Sequence, residues 1–200
     1  MNRNYLFILL FVLFTACSKD VLDRTIFIPD EDDSNLPAYT EWGYNTFGAE
    51  YDRDYFLVSQ KIVPCKIVYK SDSLQFLLSG IHIASNYYAP NYKTEMSLFF
   101  VFPVEKMRDY RDLLQLHKKE IDLATDCIVK MTVNKQETIL TISKGKLHFK
   151  RAQLLSVDDK ENRVILSGTF DLIFLENGWP VSISDGRFDL GITEKVFYAF

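Results

Sequence analysis

Two hundred residues, 48% hydrophobic and 14% aromatic, give a chain long enough to bury one core without staples. Eight glycines, six prolines and frequent aromatics exclude fibrous and low-complexity classes. A net charge of −4 without a basic cluster excludes a nucleic-acid footprint.

The chain opens Met1-Asn2-Arg3-Asn4, runs apolar from Tyr5 to Phe14 and continues Thr15-Ala16. A positive start, a short apolar run and small residues at its end make the pattern of a secretory signal. The run is shorter than the roughly 20 residues of a spanning helix, so residues 1–16 read as a cleaved signal. Phe14-Thr15-Ala16-Cys17 resembles the lipobox of bacterial lipoproteins, with Phe14 where Leu is usual. The resemblance implies lipid on Cys17, and several acyl chains on one cysteine hold a protein firmly to a membrane. Ser18-Lys19-Asp20 is similar to the export signal that follows the cysteine in Bacteroidetes-type surface lipoproteins. The implied location is the outer membrane, lipid-anchored, on the cell surface rather than the periplasmic face.

From Ser18 to Asp33 six acids stand against two bases, so most of the negative charge lies ahead of residue 39. The run Asp30-Glu31-Asp32-Asp33 has carboxylates that suit calcium but lacks the spaced ligands and turn glycine of a calcium loop. It reads as a solvated, self-repelling linker. Residues 17–38 are therefore expected to be a lipidated cysteine and acidic tether, reaching roughly 70 Å at about 3.3 Å per residue. Residues 39–200 form a single β-rich domain. With Cys17 acylated, Cys65 and Cys127 are left as a possible disulfide, or as two thiols buried in apolar strands.

Strand patterns then follow one another. Phe47–Tyr51 and Tyr55–Val58 flank the polar turn Asp52-Arg53-Asp54. Lys61–Tyr69 is rich in β-branched residues, Ser73–Ile83 alternates, and Met96–Phe102 is a continuous apolar run suited to burial on both faces. Val104, Met107, Tyr110, Leu113, Leu114 and Leu116 fall near helical spacing behind Pro103, which predicts one amphipathic helix over 104–118. Cys127–Val133, Thr138–Ile142 and Lys146–Val157 follow, separated by turn chemistry at Asn134-Lys135 and Lys144-Gly145. Arg163–Leu175 alternates into Asn177-Gly178, a turn whose two central residues need positive φ. Val181 to Ile192 continues the hairpin with a bulge or second turn at Asp185-Gly186, and the aromatic C-terminus reads as a final strand. The expected fold is all-β: an antiparallel β-sandwich or small open barrel of roughly nine to ten strands with one short helix.

Two blocks carry a further resemblance. Tyr39–Ala49, with its Thr-Glu, Gly and Asn-Thr-Phe-Gly, is similar to the opening of uncharacterised Bacteroidetes-type outer-membrane lipoprotein domains. Ser167–Phe170 together with Val181–Leu190 resembles their closing hairpin. The likeness implies an exported β-rich lipoprotein and no activity.

No nucleophile elbow, phosphate loop or dinucleotide fingerprint occurs, and His82, His117 and His148 stand apart without metal-ligand spacing. No catalytic residue, metal or cofactor is expected. Asp171, Glu176, Asp185 and Asp189 share one hairpin, where alternation and turns account for them. The candidate binding residues are Asn86, Tyr87, Tyr88, Asn91 and Tyr92, a loop of aromatic faces beside amides that suits sugar rings or a protein partner. The same tyrosines equally suit the end of a β core. Trp42, Tyr39 and Tyr44 read as pins that hold the linker onto the domain. The expected function is a non-enzymatic binding module for a glycan or envelope-protein partner. The alternatives are a structural part of an envelope assembly and a carboxylate-dependent hydrolase. Replacing Cys17 by Ala is expected to abolish palmitate incorporation and to release the chain from the membrane fraction on cell fractionation; labelling that persists would refute the anchor.

Overall fold

The computed structural model describes residues 24–59, 64–84, 92–157 and 160–200. These form twelve strands: β1 (Thr46–Tyr51), β2 (Asp54–Val58), β3 (Cys65–Lys70), β4 (Ser73–Ala84), β5 (Tyr92–Pro103), β6 (Lys119–Asp122), β7 (Ile128–Val133), β8 (Gln136–Ile139), β9 (Thr141–Val157), β10 (Lys160–Glu176), β11 (Trp179–Ile192) and β12 (Phe197–Ala199). They make one sheet in the order β6-β9-β10-β11-β1-β2-β4-β5-β7-β8, with β3 beside the first half of β4. Pairing is antiparallel except where β12 runs parallel to β3. The protein is all-β, and of the two expected architectures it takes the open barrel, a half-barrel curled around a single core.

Phenylalanine fills that core. Alternation puts Phe76 of β4 and Phe100 of β5 on the inner face, opposite Phe149 of β9, Phe170 of β10 and Phe188 of β11. Ring centroids lie 5.2 Å apart for Phe76–Phe188, 5.7 Å for Phe76–Phe149 and 5.6 Å for Phe100–Phe170. Such tilted pairs add about 0.5–1.5 kcal/mol each beyond their buried area. The curl needs two glycines. A Cβ on Gly80 would sit 2.1 Å from the Leu57 carbonyl, and one on Gly168 2.1 Å from that of His148. Each glycine lies under a ring, Phe47 or Phe188, so the aromatic occupies the space a side chain would take.

Several expectations need correction. Lys144-Gly145 is not a turn but part of β9, where Gly145 lets β10 approach: a Cβ there would meet the Asp171 carbonyl at 2.6 Å. Only one face of β5 is buried, for its residues alternate and Phe99 and Val101 point outward, partly exposed. The helix is a 3₁₀ turn of seven residues, Tyr110–Leu116. Val104, Met107, Tyr110, Leu113 and Leu116 are buried and repeat every three residues, the period at which a 3₁₀ helix stacks its side chains. Asp109 accepts from the Arg111 amide and Asp112 from the Asp109 amide, a reciprocal cap. The Asn177-Gly178 turn is as expected, with φ of 52° and 85°.

The largest departure concerns residues 24–38, which are docked rather than solvated. Leu36 is 1% exposed, and Pro37 packs so close over Gly48 that a Cβ there would lie 2.4 Å from its Cδ. Asp30 forms an ion pair of 2.6 Å with Arg187, and Asp33 accepts from the Tyr55 hydroxyl. The Asp32 amide and then Arg187 hold the Asp30 carboxyl below the usual range, and the Asn35 amide does the same for Asp33. Asp30 and Asp33 thus cap a turn of the chain and reach partners on the domain, while Glu31 and Asp32 stay exposed. We call residues 24–45 the strap; it covers the outer face of β11, β1 and β2.

The strap is fixed by Asp189, which is 1% exposed on the outer face of β11. Its carboxylate accepts from Thr40 Oγ1 (2.6 Å), the amides of Trp42 (3.1 Å), Gly43 (2.7 Å) and Tyr44 (3.2 Å), and Ser167 Oγ (3.1 Å). Gly43 reaches this arrangement at φ +75°. The pinning is done by backbone amides rather than by the Trp42 ring, which is 69% exposed. Asp189→Ala orphans these donors and is expected to lower stability by about 3–5 kcal/mol, read from the urea midpoint; a loss below about 1 kcal/mol would show that the lock is dispensable.

Candidate binding site

Of the five candidate loop residues, Asn86, Tyr87, Tyr88 and Asn91 lie outside the described residues. Tyr92, at the start of β5, is 57% exposed. Strand register shows what shares its end of the half-barrel. Ala84 of β4 pairs with Tyr92, Tyr55 of β2 with Ile83, and Tyr51 of β1 with both Asp54 and Ile183. The β1–β2, β4–β5 and β10–β11 connections therefore open at one end. There Trp179, the first residue of β11, faces solvent at 77% exposure. It pairs with Glu176 across the Asn177-Gly178 turn, which holds it on a short, well-defined hairpin. Sequence reading located this turn and passed over the tryptophan behind it, whose exposure depends on the hairpin projecting beyond the last core residue, Phe174.

The mouth below these aromatics is polar. His82 Nε2 lies 3.3 Å from Asp54 Oδ2, and the His82 ring tilts against Tyr51 with centroids 4.8 Å apart. Tyr51 in turn meets Phe174 at 6.2 Å, joining the mouth to the core. Burial, then the nearby charge of Glu176, pushes the Tyr51 phenol up to about 12, so it stays protonated as a donor at neutral pH. Among the described residues no cluster of three or more metal-binding side chains occurs. Exposed aromatic rings and hydrogen-bonding groups at the same end of the sheet suit a ligand with both apolar and hydrogen-bonding surface.

The sheet's outer face has two other regions. Across β6, β9, β10 and β11, polar residues form rows, taken up below. Across β4, β5, β7 and β8 the face is mixed: Leu77 pairs with Phe99 and Val101 with Ile128, Ile128 and Ile139 are 54% and 65% exposed, and beside them lie the Ser79–Ser97 hydrogen bond and the Lys130–Glu137 ion pair. Beside β3, Tyr198 is 40% exposed under the ammonium of Lys66, 4.8 Å from its ring.

Both remaining cysteines are free. Cys65 opens β3 and Cys127 directly precedes β7, three strand spacings away through β4 and β5. At about 4.8 Å per spacing that is roughly 14 Å, twice the span a disulfide bridges. The possible pair is thus two thiols, because the strands that carry them are not neighbours. His117 serves the fold, its Nδ1 accepting the Ala152 amide at 3.2 Å.

Compared with family models, curated proteins and solved structures, the chain matches none. The resemblance to Bacteroidetes-type lipoproteins therefore rests on its residues alone.

Burial pushes both thiols up to about 12, so neither is a thiolate at neutral pH. Apart from Cys17, two thiols per chain are expected to react with a thiolate-trapping reagent only after unfolding, with or without prior reduction. Thiols that appear only after reduction would restore the disulfide.

Proposed function

We propose that the chain is an exported lipoprotein, held on the outer membrane by lipid at Cys17 and facing the cell surface. Its β-domain is a non-enzymatic module that binds a glycan or protein partner. The observation that carries this reading is the pair of solvent-facing aromatics, Trp179 and Tyr92, at the loop end of the half-barrel. Large rigid rings lose little conformational freedom on binding and dominate the energetics of recognition surfaces. Asn86, Tyr87, Tyr88 and Asn91, which lie between β4 and β5 in the sequence, belong to the same proposed site.

A second reading, a structural part of an envelope assembly, is favoured by the apolar patch of Leu77, Phe99, Val101, Ile128 and Ile139 on the outer face, since exposed apolar patches mark interaction surfaces. Binding of the full chain to an array of glycans and envelope proteins, with Trp179→Ala and Tyr92→Ala alongside, separates the two. Loss of a bound ligand by about thirtyfold, the size of a binding hot spot, supports the module. Binding that neither change alters moves the site away from the loop end, and no binding at all overturns the module in favour of the structural role.

A further inference from the structure

Between the strap and β6 the outer face holds a cleft of about 330 Å³. Its floor is laid out by register. One row across four strands reads Glu120, His148, Thr169, Arg187; the next reads Asp122, Lys146, Asp171, with Asp185 at the bulge of β11. Tyr39 of the strap forms one wall. These residues point away from the phenylalanine core, so no packing requirement chooses their identity. Salt-bridged pairs also fix the cleft. Lys146 Nζ lies 2.6 Å from Glu120 Oε1, and Arg187 is held by Asp30 and by the Asp185 carbonyl at 3.1 Å. Tyr39 is set by its hydrogen bond to Glu41 (2.8 Å), which Arg151 grips in turn, and by Lys150 at 4.7 Å from its ring.

We propose that this cleft is a binding site for an uncharged saccharide. The lining sets three carboxylates, Glu120, Asp171 and Asp185, against two cations, Lys146 and Arg187, and Arg187 is already held by Asp30, so the cleft disfavours an anionic polymer. A divalent cation would need three converging ligands, and no such group occurs among the described residues. A sugar hydroxyl both donates and accepts. It can give its proton to Asp171 or Asp185 and receive one from Lys146, whose ammonium has three donors and spends one on Glu120. Thr169, in the middle of its row, can do both. Strand spacing of about 4.8 Å holds these groups in a fixed grid, so little is spent on ordering them when a ligand arrives. The Tyr39 wall gives the ring's C–H face an apolar surface. The site is separate from the loop end and does not depend on Trp179 or Tyr92.

The full chain, purified in detergent, would be tested by saturation-transfer NMR against a panel of neutral, uronate-containing and sulfated oligosaccharides. Thr169→Val keeps shape without the hydroxyl, and Asp171→Asn keeps shape without the charge. Both lie on the outer face, and an unchanged melting temperature verifies that they fold. The expected result is a neutral saccharide bound by the native chain and weakened at least about tenfold by each variant, the loss of a hydrogen bond to a charged or fixed partner. Trp179→Ala should leave that affinity unchanged. Preference for uronate or sulfate, binding indifferent to both variants, or no binding at millimolar sugar would each overturn the assignment. Loss on Trp179→Ala alone would place the saccharide at the loop end.

Discussion

A carboxylate removed from water must be hydrogen-bonded on every side or it destabilises the fold by several kcal/mol. Asp189 meets that condition with three consecutive backbone amides and two hydroxyls. The amides of Trp42, Gly43 and Tyr44 belong to a chain segment outside the sheet, so the cheapest way to satisfy the buried charge is to bring that segment down onto β11. The rest of the strap follows. Once Tyr44 is placed, Ile26 donates to its carbonyl, Ala38 pairs back to Ile28, and Leu36 and Pro37 close over Gly48. The two blocks that resemble lipoprotein domains are the two halves of this lock: Thr40 to Tyr44 lies in one, Ser167 and Asp189 in the other.

The strap also decides what the outer face can do. A single curled sheet has one face for its core and one that must be covered, charged or used. Here β11, β1 and β2 are covered, β6, β9 and β10 carry rows of charge, and β4, β5, β7 and β8 mix an apolar patch with polar pairs. Arg187 links the first two regions, since it pairs with strap Asp30 and floors the cleft. Strap and cleft are therefore one unit, in which the position of Tyr39 and the guanidinium of Arg187 both depend on the Asp189 lock.

Much of this was legible in sequence because strands announce themselves by alternation. Phe170, Leu172 and Phe174 predict the inner face of β10, and Asn177-Gly178 its turn. The errors have physical causes. Gly145 looks like punctuation because glycine tolerates turns, but it also tolerates a neighbouring backbone, and local pattern does not separate the two. The repeat at 104, 107, 110, 113 and 116 has period three, and reading it as period 3.6 lengthened the helix and hid β6 behind it. The acids of the strap looked solvated because their partners, Arg187 and Tyr55, are more than 20 residues away or on a different element. Which outward residues share a row, as Glu120, His148, Thr169 and Arg187 do, depends on register between strands far apart in the chain, which no local pattern carries.

The docked strap changes the geometry of the proposed anchor. An undocked tether through residue 38 would let the domain wander roughly 70 Å from the bilayer. With residues from 24 onward on the sheet, only residues 17–23 intervene between a lipid on Cys17 and the folded protein, a reach of at most about 23 Å. Under that proposed anchor the domain would stay close to its membrane. It would also stay in a restricted orientation, because the chain leaves from the strap side. The cleft borders that strap at mid-strand, while the loop end lies where β10 turns into β11 and β1 into β2. Trp179 is in phase with the buried Val181 and Ile183 and projects on the core side of β11, while the cleft floor of Thr169 and Asp171 is on the outer side, so the two places lie on different faces of the sheet.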